Sequence, residues 1–140
     1  MKVRDIMTSQ VTCANPNTSL RELAKIMKQE DVGSVPVCDQ QRLMGIVTDR
    51  DIVIRAVAQG QDVNSMKASE AMSTDVTMIG PDADIHEAAD LMSKQQIRRL
   101  PVVEQGKIIG ILALGDLAVE QIHVNEAGEA LSDISQGVHH

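Results

Sequence analysis

The sequence contains no phenylalanine, tyrosine or tryptophan, and it contains little positive charge. Proteins that bind single-stranded nucleic acids stack the bases on aromatic rings, so the lack of aromatic residues excludes that mode of binding. The 13 lysines and arginines are outnumbered by 20 acidic residues, which gives a net charge of −7. Duplex DNA requires a basic surface, so we expect no nucleic-acid partner.

Long hydrophobic runs are also missing. No window approaches the roughly 18 consecutive apolar residues that a membrane span needs, so we expect no membrane partner. Residues 1–5 are polar and no apolar run follows them, so we expect no signal peptide and a cytoplasmic location. With 43% hydrophobic and 24% charged residues, the composition is that of an ordinary globular protein.

The chain repeats itself at an offset of 65 residues without gaps. Residues 4–53 align with residues 69–118, and 13 of these 50 pairs are identical, including Gly45 with Gly110 and Asp51 with Asp116. Chance at one fixed offset would give only a few matches. The sequence therefore contains one supersecondary unit used twice.

The pattern within the unit predicts a β-α-β-β-α order. Residues 11–14 are a short β-prone run that ends at a proline turn, and Ser19 with Glu22 forms a helix capping box. Two apolar runs about a polar turn, 35–38 and 43–47, predict a hairpin. A second helix is predicted from about residue 48 to 58, with Gly60 as its stop.

A unit of roughly 50–60 residues buries little surface alone, so we expect the two copies to share a core. The predicted fold class is α/β (α+β), with two tandem β-α-β-β-α units packed with pseudo-two-fold symmetry and a short C-terminal helix. The predicted divisions are repeat 1 at 1–60, a linker at 61–67, repeat 2 at 68–124, and an acidic C-terminal helix and tail at 125–140.

The motifs on the strands resemble one known family. The run Gly-Ile-Val-Thr-Asp-Arg-Asp at 45–51 matches the motif G-h-x-[ST]-x-x-D, where h is apolar. The other motifs on which the resemblance rests lie at residues 5–7, 35–37 and 100–103. Together, over residues 1–123, they resemble a tandem pair of CBS (cystathionine β-synthase) domains, called a Bateman module, in a stand-alone protein.

The resemblance implies a non-catalytic regulatory or sensor module. Such a module would bind an adenosine-containing ligand, such as AMP, ADP or ATP, in the cleft between two CBS repeats and signal to a partner protein. It implies a homodimer, an adenine nucleotide as regulatory ligand and no required cofactor, with the protein target unknown. No nucleophile–base constellation is present, so we expect no enzyme. The alternative is a ligand-free dimerisation or docking scaffold.

By resemblance, Asp51 holds the ribose hydroxyls and Thr48 lies near the ribose or phosphate. Both residues also fit a plain capping box, so the structural interpretation stays open. Arginines pair with phosphate, and Arg98 and Arg99 replace Gly33 and Ser34 of repeat 1, although a solvated pair beside a strand is the alternative. The predicted stronger site comprises Ile46, Thr48, Arg50, Asp51, Met78, Ile79, Ile97, Arg98 and Arg99.

The predicted weaker site is built on Asp116, because Ala113 replaces the threonine there. Its members are Asp116, Ile111, Cys13, Ala14, Val32 and Gly33. The repeat partners of Cys13 and Cys38 are apolar, so we expect two buried, unreactive thiols rather than a disulfide. The cysteine spacing fits no zinc pattern, and no metal site is predicted.

Overall fold

The computed structural model describes residues 1–119, and the predicted C-terminal helix and tail lie outside the described residues. The chain divides into two compact units. The central unit comprises residues 12–76. The terminal unit comprises residues 1–11 together with the chain from residue 77 onward.

The central unit consists of one hairpin and the helices before and after it. Its elements in chain order are helix α1 (Leu20–Glu30), strand β1 (Ser34–Asp39), strand β2 (Arg42–Thr48), helix α2 (Asp49–Asp51), a π-helical segment (Ile52–Val57) and helix α3 (Ala68–Ala71). The terminal unit repeats the helix–hairpin–helix order after a single 3-10 turn. Its elements are the turn (Val3–Asp5), helix α4 (Ile85–Gln95), strand β3 (Arg99–Glu104), strand β4 (Lys107–Ala113) and helix α5 (Leu114–Val119).

Both predicted hairpins are confirmed, and each closes with a two-residue turn. In the central unit Gln40 and Gln41 occupy the turn with φ angles of 51° and 71°. In the terminal unit Gln105 and Gly106 have φ angles of 54° and 79°. Two successive residues with positive φ are typical of the tight turn whose twist matches paired strands, and this geometry favours glycine at the second position.

The strand predicted at residues 11–14 is wrong, because only Ala14 pairs with β1. The Ala14 N–H donates to the Pro36 carbonyl at 2.9 Å, and the Cys38 N–H donates to the Ala14 carbonyl at 2.8 Å. A parallel ladder would next need N–H groups from Pro36 and Pro16, which proline lacks. The same two prolines recur in the terminal unit, where only Ile79 pairs with β3.

The second helix of the central unit begins directly after Thr48 and runs to Val57, and Gly60 follows it with φ of 71°. Its C-terminal part has the wider π pattern, since the Ala58 N–H donates to the carbonyl of Val53, five residues back. The predicted start and stop therefore agree with the structure.

Each unit has its own apolar core. The helical spacing of Leu20, Leu23, Ala24 and Met27 predicts one buried face on α1, and Leu20, Leu23 and Met27 are buried there, whereas Ala24 is exposed. The equivalent residues of α4 are all buried, namely Ile85, Ala88, Ala89 and Met92. The central core also includes Ala14, Val35, Val37, Val47, Ile52, Ala56, Ala68 and Ala71. The terminal core comprises Val3, Ile79, Ile85, Ala88, Ala89, Met92, Leu100, Val102, Leu112, Leu114 and Leu117.

The first residues of the chain pack in the terminal unit, although the repeat counts them with repeat 1. The Val3 N–H donates to the Ala83 carbonyl at 2.9 Å, and the Arg4 side chain forms an ion pair with Asp82 at 2.9 Å. The hydrogen bond from Arg4 lowers the pKa of Asp82. Within residues 1–119, no helix has the length and apolar character that crossing a membrane requires.

Candidate functional site

The motif at 45–51 forms the junction between β2 and the helix that follows it. Thr48 is the last residue of β2, and its hydroxyl oxygen accepts from the Asp51 N–H at 3.0 Å. In return, Asp51 Oδ2 accepts from the Thr48 N–H at 2.9 Å. These reciprocal bonds satisfy two backbone donors and fix the Asp51 carboxylate at the junction, so the motif is a complete capping box.

The Asp51 carboxylate retains capacity for a ligand. A carboxylate offers about four acceptor positions, and the Thr48 N–H uses one of them. The Asp51 side chain is 17% exposed, and its Oδ1 lies 3.7 Å from Nε of Arg55. A half-buried carboxylate with open acceptor positions can accept the two hydroxyl protons of a ribose diol.

Arg55 was missed by the sequence analysis. Its side chain contacts Asp51 from one turn further along the helix, and Nη1 also donates to the Ala71 carbonyl at 3.2 Å. Acidic and basic residues four apart on a helix are neighbours, so the spacing of Asp51 and Arg55 was the available signal. Arg55 therefore ties the motif to α3 of the same unit.

The equivalent junction of the terminal unit contains half of the box. Asp116 Oδ2 accepts from the Ala113 N–H at 2.9 Å, while the alanine side chain returns no bond. The Asp116 carboxylate therefore has a capping role without a threonine partner. Capping alone therefore accounts for the presence of Asp116 in repeat 2.

A cavity of about 260 Å³ lies beside this second junction, within the terminal unit. Its lining residues are Arg98, Arg99, Ala113, Leu114, Gly115 and Ala118. The Leu114 N–H donates to the Arg98 carbonyl at 2.8 Å, which holds the start of α5 against the residue before β3. The surface of the cavity is almost wholly apolar, so the two arginines border it largely through the aliphatic parts of their side chains.

Arg98 is exposed, and its guanidinium has no hydrogen bond or ion pair with any of residues 1–119. Arg99, at the start of β3, is half-buried and has a polar contact of its own. In the central unit the position of Arg98 is taken by Gly33, and the Asp49 carboxylate lies 3.4 Å from where a Gly33 Cβ would be. The two units therefore present opposite charge at equivalent places.

The residues of the predicted stronger site divide between the units. Ile46, Thr48, Arg50 and Asp51 lie together on β2 and the helix start of the central unit. The other five lie in the terminal unit, where Arg98 and Arg99 line the cavity, Ile79 is buried, Ile97 is half-buried and Met78 is exposed. That these two sets hold one ligand stays a prediction.

The predicted weaker site divides in the same way. Asp116 and the buried Ile111 lie in the terminal unit. Ala14 is buried, Val32 is half-buried, and Cys13 and Gly33 are exposed in the central unit. The expected burial of both thiols is therefore wrong for Cys13, although Cys38 is buried with 6% of its surface exposed.

The side chains considered as metal ligands are those of histidine, cysteine, aspartate and glutamate. Among residues 1–119 there is no group of three or more histidine, cysteine or acidic residues placed to hold a metal ion.

Comparison with known proteins gives a consistent result. The model of the CBS domain family matches residues 3–57 and 68–122. The CBS domain-containing protein YhcV of Bacillus subtilis is 47% identical over 138 residues, which covers 98% of each chain.

Solved structures agree with the sequence relatives. The crystal structure of Hypoxic Response Protein I with two coordinated zinc ions has a TM-score of 0.78 at 36% identity, covering 86% of this chain and 98% of that one. A hexameric CBS-CP12 protein from bloom-forming cyanobacteria has a TM-score of 0.70 at 26% identity, covering 89% of this chain and 73% of that one.

Proposed function

The chain belongs to the CBS domain family, and on that premise we propose that it is a sensor that binds an adenosine-containing ligand and signals to a partner protein. The predicted α+β fold with two tandem CBS units is confirmed. Tandem CBS proteins are generally regulatory modules, and they commonly bind small molecules and oligomerise. An adenine nucleotide is the ligand class that we assign to this chain.

The observation that carries the proposal is the fixed carboxylate of Asp51. Two backbone-anchored bonds at 2.9 and 3.0 Å hold the junction, and the carboxylate keeps acceptor positions beyond the one that the Thr48 N–H fills, with Arg55 as an ion-pair partner 3.7 Å from Oδ1. A rigid acceptor of this kind suits a cis-diol, because both hydroxyl groups can donate to one carboxylate. In the proposal the ribose of the nucleotide occupies these acceptors.

A phosphate contact is assigned separately, within the terminal unit, to the exposed guanidinium of Arg98. The cavity that Arg98 borders measures about 260 Å³, below the roughly 300–1,000 Å³ of most ligand pockets, and its surface is almost wholly apolar, so the phosphate is assigned to the guanidinium and not to the cavity interior. Guanidinium groups bind phosphate oxygens in a bidentate manner, and Arg98 is exposed without a competing acidic partner among residues 1–119. Since the whole chain carries a charge of −7, an anionic ligand needs such a local cation.

Isothermal titration calorimetry with AMP, ADP and ATP tests these assignments. Asp51→Asn keeps a capping oxygen but removes the charge, and we expect it to weaken binding by about 1–3 kcal/mol, or about 5- to 150-fold. Arg98→Gln should weaken ATP more than AMP, because it removes a phosphate contact.

The matched control is Arg42→Gln, at the far end of β2. It removes the same charge at a distance from the junction, so its affinities should equal those of the parent protein. Equal losses in Arg42→Gln and Arg98→Gln would refute a local phosphate contact. Unchanged affinity in a folded Asp51→Asn protein would refute the ribose assignment.

A second candidate function, the ligand-free dimerisation or docking scaffold, is favoured by an exposed apolar surface. Val53, Ile54 and Val57 on the second helix of the central unit are 53%, 45% and 61% exposed. A strip of this kind is typical of a helix that packs against another chain. Association through it is compatible with ligand binding, and it would be the whole function if no nucleotide bound.

Sedimentation of the parent and of a Val53→Asp, Val57→Asp double variant tests this candidate. The scaffold interpretation predicts a homodimer that the charged variant dissociates, with no effect of added nucleotide. A nucleotide-dependent change in association would instead support the sensor. A parent protein that stays monomeric at all concentrations would contradict the scaffold.

A further inference from the structure

Two thiols lie in contact in the central unit. Sγ of Cys38 is 3.2 Å from Sγ of Cys13, and the Cys38 thiol donates to the Cys13 sulfur. The backbone brings the two residues together, because Ala14, which follows Cys13, pairs with Val37, which precedes Cys38. The Cys38 N–H donates to the Ala14 carbonyl at 2.8 Å. Closing the sulfur atoms to the roughly 2.05 Å of a disulfide requires a movement of only about 1 Å.

The repeat offers an internal comparison. Ile79 pairs with β3 in the terminal unit by the same two hydrogen bonds, at 3.1 and 2.9 Å. The positions of the cysteines are occupied there by Met78 and Val103. The backbone arrangement therefore needs no cysteine, and the thiol pair is an addition specific to the central unit.

The two thiols differ in exposure and acidity. Cys13 is exposed, and the hydrogen bond from Cys38 lowers the pKa of its thiol. Cys38 is buried, and the same hydrogen bond together with burial raises its pKa. An accessible, more acidic thiol beside a buried one is the arrangement of an attacking and a resolving cysteine.

We propose that Cys13 and Cys38 are a reversible redox pair that forms an intramolecular disulfide with a low-molecular-weight disulfide as the oxidant. The Cys13 thiolate attacks glutathione disulfide, forming a mixed disulfide and releasing one glutathione. Cys38 then gives up its proton and attacks the Cys13 sulfur, which releases the second glutathione. Two protein thiols are oxidised, one glutathione disulfide is reduced, and both protons go to the released thiols.

The mixed disulfide at Cys13 favours the second step, the attack by Cys38. The high pKa of Cys38 has two causes in the neighbouring Cys13, its hydrogen bond and its charge, and burial is the remaining cause. Once Cys13 carries glutathione, its sulfur bears no negative charge. The Cys38 thiolate then forms more easily, directly beside the sulfur that it attacks.

The disulfide would fasten the segment before α1 to strand β1. Two backbone hydrogen bonds between Ala14 and β1 hold this place in the reduced protein, because prolines prevent a longer ladder. A covalent link would close a loop that includes the whole of α1 (Leu20–Glu30). Restricting the unfolded chain in this way should raise the melting temperature by about 8–16 °C.

The experiment treats the purified protein with glutathione disulfide, quenches with acid and alkylates the remaining thiols with iodoacetamide. After oxidation we expect a single chain, not cross-linked to another, whose intact mass is lower by two hydrogen atoms. This chain should take up no alkyl group until dithiothreitol is added. Peptide mapping should place the link between Cys13 and Cys38. Its formation and the rise in melting temperature require no nucleotide, so the outcome is independent of the ligand proposal.

Two variants make the result decisive. Cys13→Met, Cys38→Val installs the pair of the terminal unit and should fold normally with no response to the oxidant. Cys38→Val alone should retain one glutathione on Cys13, because no resolving thiol remains. A parent protein that takes up two alkyl groups after oxidation, keeps glutathione on Cys13 or links two chains would overturn the proposal.

Discussion

Replacing Gly45 with alanine gives the sharpest stability test of the structure. A Cβ at Gly45 would lie 2.7 Å from the Ser73 carbonyl oxygen and 2.8 Å from the Met72 sulfur. Relieving such overpacking costs about 1–3 kcal/mol. Displacing Ser73 also weakens its two backbone hydrogen bonds with Ile46, which contribute about 1 kcal/mol each.

We therefore expect Gly45→Ala to lower the free energy of unfolding by about 2–4 kcal/mol, or the melting temperature by about 8–16 °C. Circular dichroism during thermal and urea unfolding is the assay, since the chain lacks the aromatic residues that fluorescence needs. Gly110→Ala should cost less, because its Cβ would meet the flexible Met7 side chain at 2.6 Å, while the nearest backbone atom, the Thr8 carbonyl oxygen, is 3.0 Å away.

Gly115→Ala is the control, since no atom of residues 1–119 lies within 4 Å of its Cβ and helix α5 favours alanine. It should leave stability unchanged or slightly raised. A loss below about 0.5 kcal/mol for Gly45→Ala would refute the close approach of residues 72–73 to β2.

Other stability predictions follow from the hairpin turn and the capping box. Gln41→Gly removes a side chain from a position with φ of 71° and installs the residue that the terminal hairpin has there, Gly106. It should raise the free energy of unfolding in urea by about 0.5–1 kcal/mol. A destabilised variant would contradict the turn geometry. Thr48→Ala reduces the box to the half that Ala113 shows and should cost about 1 kcal/mol of unfolding free energy; an unchanged unfolding midpoint would mean that the hydroxyl bond to Asp51 is absent.

The repeat made most of the fold predictable. The hairpins follow from apolar runs about polar turns, and the faces of α1 and α4 follow from helical spacing. The strand at residues 11–14 was predicted from β-propensity alone. Propensity takes no account of the partner strand, β1, where Pro36 has no N–H to donate. Prolines at both ends of a possible ladder were visible in the sequence, but their effect depends on the pairing register.

The candidate site was less predictable than the fold. Sequence identified the junctions at Thr48 and Asp116 because the motif is local. It did not identify the cavity beside Ala113, since that space depends on how α5 starts against the residue before β3. Cys13 was expected to be buried because its repeat partner is apolar, yet Met78 is exposed as well. An apolar residue at the equivalent position of the other repeat therefore shows only that the position accepts an apolar side chain. It does not establish that the side chain is buried.

Equilibrium dialysis of ligand-free protein against AMP, ADP and ATP tests the central claim most directly. The chain has no tryptophan or tyrosine, so ultraviolet absorbance on both sides of the membrane reports adenine with little contribution from protein. The account predicts a saturable excess of at least one nucleotide on the protein side, reduced in the Asp51→Asn variant. Equal concentrations of all three nucleotides on both sides, at millimolar nucleotide and with folded protein, would contradict it.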